Sequence, residues 1–318
     1  MKLDEVPHWL VLSVMVPFGI LWGSFLNVVI HRLPRDMSVV TPGSTCPACG
    51  KAIAFYDNVP ILSWIVLRGR ARCCGARVSP RYPIVELLGG LLSFGIVELV
   101  LPGLGGGVTV AHASLVYLSD LALLLGLLAA AFIDAEHMYL PDPITLGGAA
   151  LGLVTAPLRD LPWTDAIVGG AVGFGLVWLP FIVGYKLLRG RPGMGLGDAK
   201  LLLLAGTWFG WVGALFVLFA GAIQGSIGAV VIYMVRGKIE EPESVVADRE
   251  ELQRLADAGD EEAKELLADD PLGEAQGEGL GQARMPFGPF LILACVELVL
   301  FGSWLDGALG ALLAPFQP

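Results

Sequence analysis

Charged side chains are scarce along this chain. They make up 16% of its residues, against about 25% in an ordinary soluble domain. With 55% hydrophobic residues and a mean hydropathy of +0.71, the deficit excludes a typical water-soluble domain and points to a chain solvated mostly by lipid. Cysteine is scarce as well. Cys46, Cys49, Cys73 and Cys74 share one polar segment and Cys295 lies in an apolar run, which is too few and too clustered for a disulfide scaffold. The N-terminus does not read as a cleavable signal: the opening Met-Lys-Leu-Asp-Glu is not basic. The apolar stretch from Trp9 to Ile30 is longer than a signal core, and no small-x-small cleavage site follows it. It reads as a first membrane span. Positive charge in excess is lacking too, with a formal net charge of −10. Residues 240–278 hold 15 acids and three bases, so this one segment carries −12 and the rest of the chain +2. No nucleic-acid partner is expected.

What is abundant is glycine, 42 residues, much of it inside apolar runs, where small residues let membrane helices approach closely. Eight apolar segments can be marked, at 9–30, 84–101, 115–133, 143–158, 165–187, 199–211, 212–235 and 287–305. The fourth and sixth are short of the roughly 20 residues a span needs. The expected fold is an all-α polytopic membrane protein of about eight transmembrane helices, with a small cytoplasmic zinc-ribbon-like domain after the first. Alternate loops at 31–83, 134–142, 188–198 and 236–286, with the helix ends beside them, hold 18 of the 20 Lys and Arg, which makes that side cytoplasmic. The expected organisation is a first span over 1–30, a cysteine-containing domain over 31–83 and a membrane core over 84–235. An acidic loop over 236–286 and a last span with its tail over 287–318 follow. The acidic loop reads as a solvated spacer, with an exposed amphipathic helix from Arg249 to Leu267 as the alternative. No internal repeat is evident.

Two carboxylates stand at the cytoplasmic ends of apolar segments. Asp134 closes Ala-Ala-Ala-Phe-Ile-Asp, and Asp198 opens a segment within Gly193-Met-Gly-Leu-Gly-Asp-Ala-Lys. Facing one water, two such groups can share a proton, one acting as base and the other as acid, and amide hydrolysis needs both. The glycines before Asp198 allow close backbone approach and an extended surface for a peptide. A single Asp at a helix edge is more often a cap or a solvated end, and a proton-coupled transporter would also place acids here. Asp142, in Leu-Pro-Asp-Pro, fits a helix start and reads as a structural cap. Glu98 and Asp120 fall toward the opposite face, and Glu297 has no evident partner.

The residues resemble the type IV prepilin peptidases, the Gly-x-Gly-Asp aspartyl proteases of pilus and type II secretion systems. Ile133-Asp with Leu140-Pro-Asp and the later Gly-x-Gly-Asp-x-Lys carry the resemblance. So do Gly23-Ser-Phe-Leu-Asn, Asn58-Val-Pro-Ile-Leu-Ser-Trp, Arg81-Tyr-Pro-Ile-Val-Glu-Leu and Pro286-Phe-Gly-Pro. It covers nearly the whole chain. It implies an eight-helix fold in the bacterial inner membrane and assigns the catalytic pair to Asp134 and Asp198. The implied substrates are prepilins or pseudopilins, cut after a short basic leader. It also implies N-methylation of the new N-terminus from S-adenosylmethionine, associated with the cytoplasmic domain, where Gly69 falls at a position linked to methylation. No Gly-rich strand–turn–helix fingerprint for that donor is present. A peptidase without methyltransferase activity is the alternative.

Cys46-Pro-Ala-Cys49 is half of a zinc-ribbon pattern, a spacing that wraps two thiolates around one tetrahedral ion. The family's second half is another Cys-x-x-Cys. Here the matching stretch is Arg70-Ala-Arg-Cys-Cys, with Ala71 where the third thiol would stand. The expected ligands are Cys46, Cys49, Cys73 and Cys74, although adjacent cysteines need an unusual backbone to bind together. A three-thiolate site completed by another ligand, and a metal-free loop of reduced thiols, are the alternatives. Zinc would be structural, stapling a domain of about fifty residues whose own core is small.

Overall fold

A computed structural model describes residues 1–190, 192–238, 241–269 and 285–313. Eleven α-helices follow in chain order. They are α1 His8–Arg32, α2 Leu62–Val66, α3 Arg81–Gly95, α4 Val110–His137, α5 Asp142–Thr155, α6 Trp163–Val177, α7 Tyr185–Arg189, α8 Leu196–Arg236, α9 Glu243–Asp257, α10 Glu261–Asp269 and α11 Gly288–Leu313. Among the described residues there is no strand, only three isolated bridges, as the all-α reading expects. Among the described residues, five helical stretches are long and apolar enough to cross a bilayer: His8–Arg35, Arg81–Leu104, Val110–His137, Trp163–Arg189 and Leu196–Arg236.

The apolar segments at 199–211 and 212–235, read as separate spans, lie in α8, which joins two helices across a kink. At 1.5 Å per residue the two helices rise about 21 and about 39 Å. Gly210 divides it, with φ 69° and ψ −176°, within two residues of the expected boundary. Only glycine adopts that conformation without strain. The segment at 143–158 is mostly the 14-residue α5, about 21 Å long and shorter than the bilayer core.

The chain gathers into two compact bodies, one of Met1–Ala129 with the segment from Val299, the other of Ala130–Leu298. In the first, α1 and α3 pack through glycine: a Cβ at Gly89 would lie 2.6 Å from the carbonyl oxygen of Gly19. Lipid tails are as apolar as leucine, so close contact and interhelical hydrogen bonds hold such helices together. Ser93 Oγ donates to the Met15 carbonyl at 2.7 Å, and Glu98 takes His8 as its partner at 2.7 Å. Asp120, expected near water, is buried.

The second body has α6 and α5 packed on α8. Trp208 is buried there; its indole N–H donates to the Gly148 carbonyl at 2.8 Å and the Arg159 guanidinium lies 4.0 Å from its ring centroid. Glu297, without a partner on sequence grounds, receives two hydrogen bonds of 2.9 Å from the Gln224 amide. The acidic segment departs from the spacer reading. It forms α9 and α10, divided at Gly259 (φ 101°), with Ala256 and Ala263 buried and Asp260 capping α10. Ser244 Oγ donates to the Glu136 carbonyl and ties α9 to the end of α4. Residues 270–284 of that segment lie outside the described residues.

Candidate functional site

Asp134 stands one turn before the end of α4, and Asp198 is the third residue of α8. The extended Gly195 precedes α8, and an acid in a first turn is favoured by the helix dipole. Asp134 lies close enough to Asp198 for its charge to act on that carboxylate. Asp134 is buried, and its Oδ2 has no hydrogen-bond partner among the described residues. A buried, unsatisfied carboxylate oxygen is costly and is found where a reacting group or water is to be held.

The residues beside the two acids pack on one another. Leu140, buried in the turn after α4, fits against two glycines. A Cβ at Gly197 would lie 3.1 Å from Leu140 Cβ, and one at Gly288 would lie 3.2 Å from Leu140 Cδ2. The next residues seal the turn. Asp142 is the first residue of α5, behind the N-cap Pro141; its carboxylate takes Lys200 Nζ at 2.5 Å. The expected cap is therefore an ion pair tying the α4–α5 turn to the first turn of α8, two residues from Asp198. Helix α5 already has Pro141 and Pro143 to fix its start.

Sequence reasoning missed Gly288 as a site residue. A Cβ there would lie 2.6 Å from Asp134 Oδ2 and 3.0 Å from its Cγ, so only glycine leaves the carboxylate in place. The available signal was Pro286-Phe-Gly-Pro before an apolar run, far along the chain from Asp134. If Asp134 is the catalytic acid that the family resemblance implies, Gly288→Ala is expected to lower peptide cleavage by about 100-fold, the cost of displacing a reacting group by about an ångström. Thermal stability should change far less. Initial rates beside a melting curve check this; a normal rate would remove Gly288 from the site.

The four clustered cysteines of segment 31–83 do come together. Their sulfurs lie within 4.8 Å of one another, with Cys46 to Cys74 at 3.7 Å, Cys49 to Cys73 at 3.4 Å and Cys73 to Cys74 at 3.9 Å. Thiolates 2.3 Å from a tetrahedral zinc stand about 3.8 Å apart, so the sulfurs fit that ion. The backbone reveals a repeat of eight residues that sequence reading did not find. Cys46 N–H donates to the Lys51 carbonyl and Ala71 N–H to the Ala76 carbonyl, each at 2.8 Å. Gly50 N–H donates to Cys46 and Gly75 N–H to Ala71, at 2.8 and 2.7 Å. The bridges Thr45–Ala52 and Arg70–Arg77 close the two units, and Gly50 and Gly75 turn them at φ 71° and 73°. In this register Cys49 matches Cys74 while Cys46 matches Ala71. Cys73 replaces the absent thiol from two positions further on. The backbone N–H groups of Ala48 and Cys49 bring the Cys46 thiol down to about 7, toward the thiolate that metals bind. Cys73, hydrogen-bonded to Cys49 and Cys46, is pushed up to about 12; four sulfurs this close do not all ionise until a cation joins them. Cys295 is buried in α11 as packing.

Comparison with known proteins follows the same division of the chain. The Bacterial Peptidase A24 N-terminal domain family matches residues 17–99, and the Type IV leader peptidase family matches residues 121–230. A protein of Myxococcus xanthus (strain DK1622) named Prepilin leader peptidase/N-methyltransferase is 36% identical over 316 residues, covering 92% of this chain and 91% of its own. A protein of the same name from Aeromonas salmonicida (strain A449) is 35% identical over 264 residues, covering 73% of this chain and 86% of its own. One from Klebsiella pneumoniae is 40% identical over 200 residues, covering 61% and 82%. No solved structure matches. With similarity running through both bodies, and with Asp134, Gly197 and Asp198 inside the matched residues 121–230, this chain belongs to the type IV leader peptidase family.

Proposed function

We propose that this chain is a membrane aspartyl endopeptidase that removes the leader from prepilins or pseudopilins at the cytoplasmic face of a bacterial inner membrane, and then methylates the new N-terminus. The observation that carries the reading is Asp134 Oδ2, buried and without a hydrogen-bond partner among the described residues, on a carboxylate near enough for its charge to act on Asp198. One aspartate, ionised, takes a proton from water as the water attacks the scissile carbonyl. The other, protonated, gives its proton to the departing amine, after which the pair is ready for another cycle. A pilin-type substrate suits this position. Its apolar first helix stays in lipid while its leader projects from the bilayer, so the bond to be cut lies at the boundary. The bias of Lys and Arg supports the cytoplasmic orientation, and the eight-span architecture and the domain boundaries given above belong to the same proposal.

Cys46, Cys49, Cys73 and Cys74 are the proposed ligands of one structural zinc, which would hold the two knuckles together. S-adenosylmethionine, the methyl donor implied by the family, fits less well. The cavity beside Gly69 is lined by Arg68, Arg70 and Arg77, and three guanidinium groups repel a sulfonium cation. That cavity does not fit the donor, and no step is drawn through it. The test of function is the product mass after incubating the purified chain with a prepilin and S-adenosylmethionine. Loss of the leader alone supports the peptidase reading, and one further methyl group supports both activities; an uncut precursor overturns the proposal.

A further inference from the structure

Segment 31–83 carries charge that neither proposed site uses. It holds eight Lys and Arg against two Asp, a formal +6. Three of the arginines, Arg68, Arg70 and Arg77, line a cavity of about 520 Å³ together with Trp64 and Pro80. Its walls are built by backbone. Arg68 and Gly69 are both left-handed, at φ 52° and 67°. Gly69 N–H donates to the Trp64 carbonyl at 2.9 Å and Val78 N–H to the Gly69 carbonyl at 2.8 Å, while the Trp64 indole N–H donates to the Val78 carbonyl at 3.1 Å. Arg70 and Arg77 face each other across an antiparallel bridge. Like charges directly opposite repel, and among the described residues no carboxylate pairs with Arg68, Arg70 or Arg77. The nearby Asp57 is engaged by Arg72 at 2.9 Å. An anion in the cavity would relieve that repulsion.

The depth of the segment says which anion. Glu86 is buried in α3 five residues after Arg81, about 7–8 Å along the axis. Its carboxylate accepts the Ile61 N–H at 2.6 Å and the Ser24 hydroxyl at 2.8 Å. Ile61 has φ 60°, a conformation a β-branched residue adopts only under constraint. The start of α2 is thus held down beside the flank of a membrane-length helix. There it exposes Leu62, Ile65 and Val66 at 62%, 58% and 73%, apolar surface that belongs at the boundary of headgroups and acyl chains.

We propose that Arg68, Arg70 and Arg77 hold the phosphate of an anionic phospholipid headgroup, with α2 lying in the same leaflet. The proposal rests on α3 crossing a bilayer and is independent of the peptidase chemistry. Native mass spectrometry of the full chain titrated with phosphatidylglycerol or phosphatidylcholine tests it, and no substrate is present, so failure of the peptidase reading leaves the result standing. Wild type should retain phosphatidylglycerol preferentially. Each Arg→Gln change in the cavity should weaken retention about fivefold, and the triple Arg→Lys chain should keep most of it. The control Arg35→Gln with Lys51→Gln removes charge outside the cavity and should have little effect. Equal loss in the control would reduce the effect to diffuse surface charge, and ready displacement by inorganic phosphate would make this a free-anion site. Either result, or unchanged retention in the glutamine variants, overturns the proposal.

Discussion

The Asp198→Asn chain, mixed with a prepilin in detergent or proteoliposomes, is expected to leave the precursor uncut, with the rate down by at least about a thousandfold. Asp134→Asn should do the same. Asparagine keeps the shape of the side chain but cannot exchange the shared proton. If, as proposed, the two groups act on one water as a unit, the double variant should be little worse than either single one. The wild-type pH profile should be bell-shaped, with both limbs belonging to the pair and neither to one residue. Precursor and product separated by gel mobility over a time course give the rates. A chain with either substitution that cuts at the normal rate would dispose of the shared-proton mechanism. Additive losses in the double variant would show two acids working on separate steps.

The aspartates stood out in the sequence because each carries its own local signal, an acid at the edge of an apolar run, with the glycines of 193–197 beside Asp198. What surrounds them did not, because it is tertiary. Gly288 is an ordinary glycine at a helix start until Asp134 Oδ2 is seen against it. Asp142 has the sequence of a cap, but the two prolines beside it already fix the helix and Lys200 takes its charge. The helical fold followed from hydropathy. Hydropathy does not separate two short spans from one interrupted helix, and Gly210 does so through a backbone angle alone. In the acidic segment composition was the wrong guide, since Ala256 and Ala263 are small apolar contacts in an otherwise charged stretch. The knuckle repeat was hidden because the backbone carries it. Between 45–52 and 70–77 only the Cys-Gly pairs at 49–50 and 74–75 are identical.

That repeat leads to the second large expected effect. Residue 71 occupies in the second knuckle the place that Cys46 occupies in the first, with the same hydrogen bond from its N–H. A thiol there would point at the same ion. Cys73→Ala should therefore abolish tight metal binding, because three thiolates and a water replace four thiolates. Its cost should exceed the roughly 10–100-fold that loss of an outer-shell partner brings. Adding Ala71→Cys to that variant should restore binding and re-create an even Cys-x-x-Cys in both knuckles. Metal per chain after dialysis measures occupancy. Cobalt substitution reads the ligand set, since the thiolate charge-transfer and d–d bands of a four-sulfur tetrahedral site differ from those of a three-sulfur one. A metal-free wild-type chain would remove the zinc assignment altogether. If Cys73→Ala keeps full occupancy and the four-sulfur spectrum, Cys73 is not a ligand. If Ala71→Cys folds but fails to rescue, the two knuckles are not equivalent at the metal, and the match between Cys46 and Ala71 is one of backbone alone.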